Sequence, residues 1–283
     1  MSRAQRDRPV MDRMERLERR AAVRRLVTPS LRGLRVWRRN LAQSRRHWHT
    51  TVLPPLLEPL LYLLAFGAGL GALVSGLEVA GRPVDYADFI APALVVITAM
   101  NQAFFETTYS SFVRMYYQRI WDAMTATPLN LGDILAGELL WGATKGFFSA
   151  LIVTGVVLAF GLAEPAGLPA LLTAALVSAL FFASLGLLFT AVLPSIDAFN
   201  FPFFLFVMPM LLFGDTFFPV ALLPGWVGRV ASFTPLYGMM AVARPATLGM
   251  GSATDLLHLL PWLLLLPVAA VAVHLLMARR LID

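Results

Sequence analysis

Six apolar stretches, separated by polar or proline-rich links, dominate the pattern of hydrophobic and polar positions along the chain. Each is near the ~20 residues that an α-helix needs to cross a ~30 Å hydrocarbon core. The pattern predicts an all-α membrane protein with six transmembrane helices. These helices are expected at residues 52–73, 87–109, 139–162, 168–193, 198–214 and 256–277.

A basic, amphipathic segment precedes the first apolar stretch. Within residues 31–49, leucines and tryptophans recur on one side and arginines occupy the rest. Such a helix lies in the headgroup layer and is attracted to anionic membrane lipids. We expect residues 1–30 to form a separate Arg-rich cytoplasmic segment. We expect no nucleic-acid partner, because membrane segments follow the arginines.

The basic residues also predict the orientation of the chain. Of the 23 Lys and Arg residues, 15 are arginines within the first 50 positions, and the central loop and the carboxyl end hold four more. Six crossings place all of these on one side. Because cytoplasmic loops are enriched in Lys and Arg, both termini and the central loop are predicted to be cytoplasmic.

The longest polar interruption between two apolar stretches predicts a short amphipathic helix over residues 115–127. Tyr116, Ile120 and Met124 recur at helical spacing, with polar side chains opposite them. Pro128 ends this helix because proline has no N–H. A helix with one apolar side and one water-facing side is typical of a helix that lies on the membrane surface. A soluble partner that binds such a helix can transmit its movement to the membrane segments.

Residues 217–250 are apolar but are interrupted by four prolines. The segment is too broken to cross a bilayer and too apolar for water. We therefore predict a re-entrant hairpin of short helices in the outer leaflet, with its backbone covered by protein.

The sequence contains no recognisable catalytic chemistry. There is no phosphate-binding glycine loop, no His/Asp/Glu cluster with metal-ligand spacing and no cysteine. We predict no catalytic residue, no metal and no cofactor in this chain, so the energy for any work comes either from a source outside the chain or from an ion gradient.

Several residues within the apolar stretches are candidates for packing or substrate contact. Lys145 either reaches the inner interface, pairs with Glu106 or another acid, or contacts a substrate. Gly67 and Gly71 form a GxxxG motif for helix packing, within one chain or across a dimer. The fifth stretch is rich in phenylalanine, and some rings face lipid or line a substrate path. The candidates for that path are Phe201, Phe204 and Lys145.

The central loop, R-x-x-D-A-M-x-x-T-P-L-x-L-G-D-I-x-x-G-E from Arg119 to Glu138, resembles the inner loop of type-2 ABC export permeases. Further segments resemble the nodulation J-type permeases, the membrane subunits of lipo-chitooligosaccharide exporters. These segments are residues 36–40, 105–115, 137–145 and 218–249.

The resemblance implies a transmembrane domain over residues 50–283 that forms a homodimer in the bacterial inner membrane. It binds two copies of a separate ATPase subunit, which holds ATP and Mg²⁺. Residues 31–49 would be the elbow helix, 217–250 the outer hairpin and 115–127 the coupling helix. The expected ATPase-coupling residues are Met115, Tyr116, Arg119, Trp121, Asp122 and Met124.

The function expected from these features is ATP-driven export of an amphiphilic substrate, such as a lipo-oligosaccharide or another glycolipid. Efflux of drugs through the same fold is an alternative. An ion-coupled secondary transporter is a further alternative, but it would need acids at mid-membrane, whereas the acids of this chain cluster near the ends of the apolar stretches. A glycan-processing enzyme would need paired carboxylates near one face, and Asp215 and Asp255, both predicted to face outward, are forty residues apart.

Overall fold

The computed structural model describes residues 30–70, 77–79 and 81–282, and most of these residues are helical. Two short antiparallel strands, β1 (Glu78–Val79) and β2 (Arg82–Pro83), pair beside the helices. The α-helices are α1 (Gly33–Arg46), α2 (Trp48–Tyr62), α3 (Tyr86–Phe105), α4 (Ile120–Thr125), α5 (Leu131–Ala159), α6 (Leu168–Val192), α7 (Asn200–Pro202), α8 (Met208–Phe213), α9 (Gly225–Ser232), α10 (Pro235–Thr247) and α11 (Leu260–Ile282).

Several helices continue as π- or 3₁₀-helical turns, and this lengthens them. In the described part of the chain, four helices are long and apolar enough to cross a membrane, and two shorter apolar helices accompany them. The all-α membrane architecture is confirmed, whereas the count of six crossings stays a prediction. The long helices span Tyr86–Tyr117, Leu131–Ala159, Pro165–Val192 and Ala253–Arg280, and the shorter ones Thr51–Phe66 and Asp197–Phe213.

Two of the predicted spans are extended by about two helical turns at the ends that face the central loop. The predicted span 87–109 continues to Tyr117 as two π-helical segments, here called the α3 extension (Glu106–Ser110 and Val113–Tyr117). The predicted span 139–162 begins instead at Leu131. The hydropathy pattern predicts these spans to be too short because Glu106, Arg114 and Glu138 lower the local hydropathy. In the structure these charged side chains pair with one another between the helices.

Helices α3, α5 and α6 form the centre of the molecule, and close backbone approach lets them pack. A Cβ placed on Gly146 of α5 would lie only 2.6 Å from the carbonyl oxygen of Ala99 on α3. Ala103 and Ala179 lie beside the same position. Small residues at a helix crossing permit this contact, and dispersion forces then stabilise it.

The predicted GxxxG motif lies elsewhere. Gly67 belongs to the π-helical segment Leu63–Leu70 that continues α2, whereas Gly71 lies outside the described residues. A helix contact through this pair therefore stays a prediction.

Helix α10 covers α3 and α6 at the end of the bundle opposite the central loop. Its Arg244 is buried, with the guanidinium 3.7 Å from the ring centroid of Phe89 on α3. Arg244 donates a hydrogen bond to the carbonyl oxygen of Phe89 at 3.3 Å and also pairs with the carboxylate of Asp215. These contacts fix the 217–250 segment to the start of α3, and the depth of that segment in a membrane stays a prediction.

Candidate functional site

The central loop does not form the single helix predicted over residues 115–127. Met115 and Tyr116 lie in the last turn of the α3 extension, and the chain then turns at Arg119, whose φ of 49° is left-handed. The six-residue helix α4 follows. The helical spacing of Tyr116 and Ile120 therefore does not define one face, because the turn at Arg119 changes the chain direction.

Burial divides the predicted coupling residues into two groups. Trp121 is only 2% exposed, and it packs with Met115, Met124 and side chains of α5, α6 and α11 in one apolar cluster. Tyr116, Arg119 and Asp122 are exposed. Trp121, one of the expected ATPase-coupling residues, is buried against its own chain, and its coupling role stays a prediction. Trp121 and Met124 hold the exposed residues in place.

A buried carboxylate of α5 organises the neighbouring side chains. Glu138 accepts hydrogen bonds from Arg114 Nη2 at 2.5 Å and from Arg114 Nε at 3.2 Å. It also accepts from Ser111 Oγ at 2.7 Å and from Asn40 Nδ2 at 3.2 Å. The fully buried acid thus joins α1, the α3 extension and α5.

A second buried carboxylate, Glu106, extends this group. It accepts from Arg114 Nη1 at 2.8 Å, Trp141 Nε1 at 2.9 Å and Lys145 Nζ at 2.7 Å. Of the alternatives for Lys145, the structure shows the pairing with Glu106. We call Glu106, Arg114, Glu138 and Lys145 the charge network. Its two acids and two bases balance, which offsets the large penalty for burying any one charge alone.

Helix α1 is tied to the loop by polar contacts at its start. Ser30 Oγ donates to Asp133 Oδ1 at 2.7 Å, and Arg32 Nη1 donates to the carbonyl oxygen of Pro128 at 2.7 Å. Asp133 also completes a capping box with Asn130 at the start of α5. Further along α1, burial lowers the pKa of Arg39, as does the charge of Arg114. The amphipathic helix and the central loop therefore form one connected surface.

A polar pocket of about 260 Å³ opens beside the charge network. It lies between α1, the start of α2, the α3 extension and α5. Phe201 and Phe204 do not line it and are 73% and 62% exposed. The structure thus does not bring them together with Lys145, and their role in a substrate path stays a prediction. The lining residues are Asn40, Gln43, Ser44, His47, Thr51, Glu106, Ser110, Arg114, Trp141 and Lys145.

Sequence reasoning missed the pairing of Arg114 with Glu138 and that of Arg244 with Asp215. The available signal was the presence of ionisable residues in or beside apolar stretches, where each requires a partner. Asp215 and Asp255 do not form a paired acidic site, because Asp215 binds Arg244 and Asp255 accepts from Ser252 in a helix cap.

Comparisons with known proteins agree with this architecture. The family model described as "ABC-2 type transporter" matches residues 34–247. Nodulation protein J of Rhizobium leguminosarum bv. trifolii is 40% identical over 220 residues, which cover 78% of this chain and 82% of the relative. Nodulation protein J of R. leguminosarum bv. viciae is 37% identical over 234 residues, covering 83% and 89% respectively. The inner membrane transport permease YadH of Escherichia coli is 23% identical over 214 residues, covering 76% and 82%. The chain belongs to the ABC-2 type transporter family.

Proposed function

We propose that this chain is the permease subunit of an ATP-driven exporter for an amphiphilic substrate, such as a lipo-oligosaccharide or another glycolipid. A separate ATPase subunit would bind ATP and Mg²⁺, and two copies of it would serve a homodimer of this chain. The complex would lie in the bacterial inner membrane, with both termini and the central loop in the cytoplasm. Family membership and similarity to nodulation J proteins support this proposal.

The surface that would receive the ATPase consists of Tyr116, Tyr117, Arg119 and Asp122. Both tyrosines are 59% exposed, and the two charged side chains stand beside them. Tyrosine and arginine are enriched among residues that dominate protein interfaces. We call these four residues the exposed loop surface. One observation carries the proposal: this surface is exposed, while Trp121 and Met124 beside it anchor the loop to the apolar cluster.

The charge network gives that surface a connection to the membrane helices. Arg114 lies one turn before Tyr117, and it binds acids on both the α3 extension and α5. A displacement of the exposed loop surface would therefore act on two long helices together. Glu106 and Glu138 are both paired with cations, which supports ATP coupling over ion coupling because an acid that carries a transported ion needs its charge available for that ion.

The first prediction tests the exposed loop surface through Asp122. We expect Asp122→Arg to leave the full-length protein folded in membranes, because this side chain is exposed and its substitution changes stability by only about 0.5 kcal/mol. It should nevertheless prevent co-purification of an ATP-hydrolysing subunit, since it reverses one charge of the contact. Co-purification from the native membranes and ATPase activity of the purified complex measure the effect.

Glu78→Arg is the matched control, because it reverses an exposed acidic residue at the other end of α3. It should retain the ATPase subunit. Retention of the ATPase by Asp122→Arg, with wild-type hydrolysis, would be incompatible with the assigned coupling surface. Reconstituted vesicles supplied with an acylated oligosaccharide or with a hydrophobic drug then separate glycolipid export from the alternative of drug efflux.

A further inference from the structure

We infer that the polar pocket beside the charge network binds the anionic headgroup of a membrane amphiphile. The pocket is lined by two cations, Arg114 and Lys145, and by one acid, Glu106. Arg114 is also paired with the buried Glu138, so the charge network as a whole is neutral, but Lys145 presents N–H groups to the pocket that Glu106 does not use. The oxygens of an anionic headgroup can accept hydrogen bonds from these N–H groups.

The hydrogen-bonding capacity of the pocket indicates the same ligand chemistry. Both acids of the charge network already accept several hydrogen bonds. Lys145 has three N–H groups but donates only one hydrogen bond to the described residues, the one to Glu106. The side chains of Gln43 and Ser110 make no hydrogen bond to any residue from 30 to 282 that the structure describes. The pocket therefore offers unused donors, which phosphate or carboxylate oxygens can accept.

The position of the pocket favours a lipid over a soluble anion. It lies where the basic helix α1 meets the apolar helix α2. Glu106 is ~30 Å along α3 from Tyr86, which is about the thickness of the hydrocarbon core. The headgroup of a lipid whose chains lie in the core reaches this level.

Helix α2 presents a surface for the acyl chains next to the pocket. Leu53, Leu57 and Leu61 recur at a spacing of four residues and are 46%, 52% and 66% exposed. The pocket lining includes Thr51, two residues before Leu53. A volume of about 260 Å³ holds roughly nine water-sized groups, which fits a headgroup and leaves the chains to lie along α2.

Gln43→Glu tests this inference, because Gln43 is exposed and its substitution leaves the charge network intact. The full-length protein is placed in phosphatidylcholine nanodiscs, and the binding of added phosphatidylglycerol is titrated by native mass spectrometry. We expect about five-fold weaker binding, the effect of one unit charge near a lipid headgroup. Gln43→Lys should strengthen binding by a similar factor.

Arg38→Gln is the matched control, since it changes the net charge by the same amount on an exposed position of α1 outside the pocket lining. Equal effects of Gln43→Glu and Arg38→Gln, or no effect of either, would overturn the inference. Soluble glycerol phosphate distinguishes the source of the anion. If it displaces phosphatidylglycerol at millimolar concentration, the pocket binds soluble anions and the inference is wrong. No ATPase is present in this assay, so its failure leaves the proposed transport function untouched.

Discussion

At the residue scale, burial decides what each side chain of the central loop can do. Trp121 and Asp122 are adjacent in sequence, but the first is buried in an apolar cluster and the second is exposed. Large aromatic residues and charges near one another suggest an interface from sequence alone. In the folded chain the aromatic ring supports the loop, and only its neighbours are available to a partner.

Substitutions of Trp121 provide a prediction for this supporting role. Trp121→Ala should lower the free energy of unfolding by about 3–5 kcal/mol, because it leaves a cavity in a well-packed cluster. Trp121→Phe should lower it by less than about 1.5 kcal/mol. Its indole Nε1 has no hydrogen-bond partner among the described residues, so phenylalanine removes no hydrogen bond. Thermal unfolding of the full-length protein in detergent measures both.

Tyr116→Ala serves as the control for that experiment, since Tyr116 is exposed and its loss should change stability by only about 0.5 kcal/mol. Equal stabilities of Trp121→Ala and Tyr116→Ala would show that Trp121 is at the surface after all.

At the element scale, two helices run past the ends that hydropathy assigns to them. The pattern of apolar residues locates α3 and α5 correctly, because most of their length is apolar. It does not locate their ends at the central loop, because Glu106, Arg114 and Glu138 lower the local hydropathy although they pair with one another. The pairing of Arg114 with Glu138 joins two helices, so the hydropathy of either helix taken alone does not reveal it.

The turn at Arg119 is a second feature that sequence periodicity does not reveal. Residues 116–124 carry a helical pattern that the structure divides between the α3 extension and α4. A non-glycine residue in the left-handed region carries no compositional signal, and the neighbouring apolar contacts hold it there.

Two glycines of α5 allow a prediction about helix packing. Gly146→Ala should lower stability by about 1–3 kcal/mol, because the added Cβ forces apart the backbones of α3 and α5. Gly155→Ala is the matched control: no heavy atom lies within 4 Å of its added Cβ, and alanine favours the helix by up to about 1 kcal/mol. The two thermal midpoints should therefore move in opposite directions. A rise for both variants would show that α3 and α5 are not in close contact at Gly146.

At the scale of the whole molecule, the sequence predicts the class of fold and the family, because both depend on features spread over most of the chain. Apolar stretches define the membrane helices, and loop motifs define the family. Of the charge network, the sequence offers the pairing of Lys145 with Glu106 as one alternative, whereas the pocket and the pairing of Arg114 with Glu138 could not be predicted, because their residues come from segments that are distant in sequence. Only their burial and their paired geometry show that they belong together.

The orientation of the molecule can be tested directly, since the chain contains no cysteine. We expect Asp122→Cys to react with a membrane-impermeant maleimide only from the cytoplasmic side, and Glu78→Cys only from the opposite side. The two positions are exposed, and one helix long enough to cross a membrane, α3 with its extension, lies between them. Labelling of intact spheroplasts and of inverted vesicles distinguishes the two sides. Labelling of both residues from one side would contradict the positive-inside assignment.

The length of α3 with its extension has one further consequence. At one end Phe89 touches Arg244, and at the other Arg114 binds Glu138. A displacement of this helix at the Arg114 end would therefore also act on the contact between Phe89 and Arg244 at the other end. In the proposed exporter, closure at one mouth of the permease would thus be coupled to release at the opposite mouth through one continuous helix.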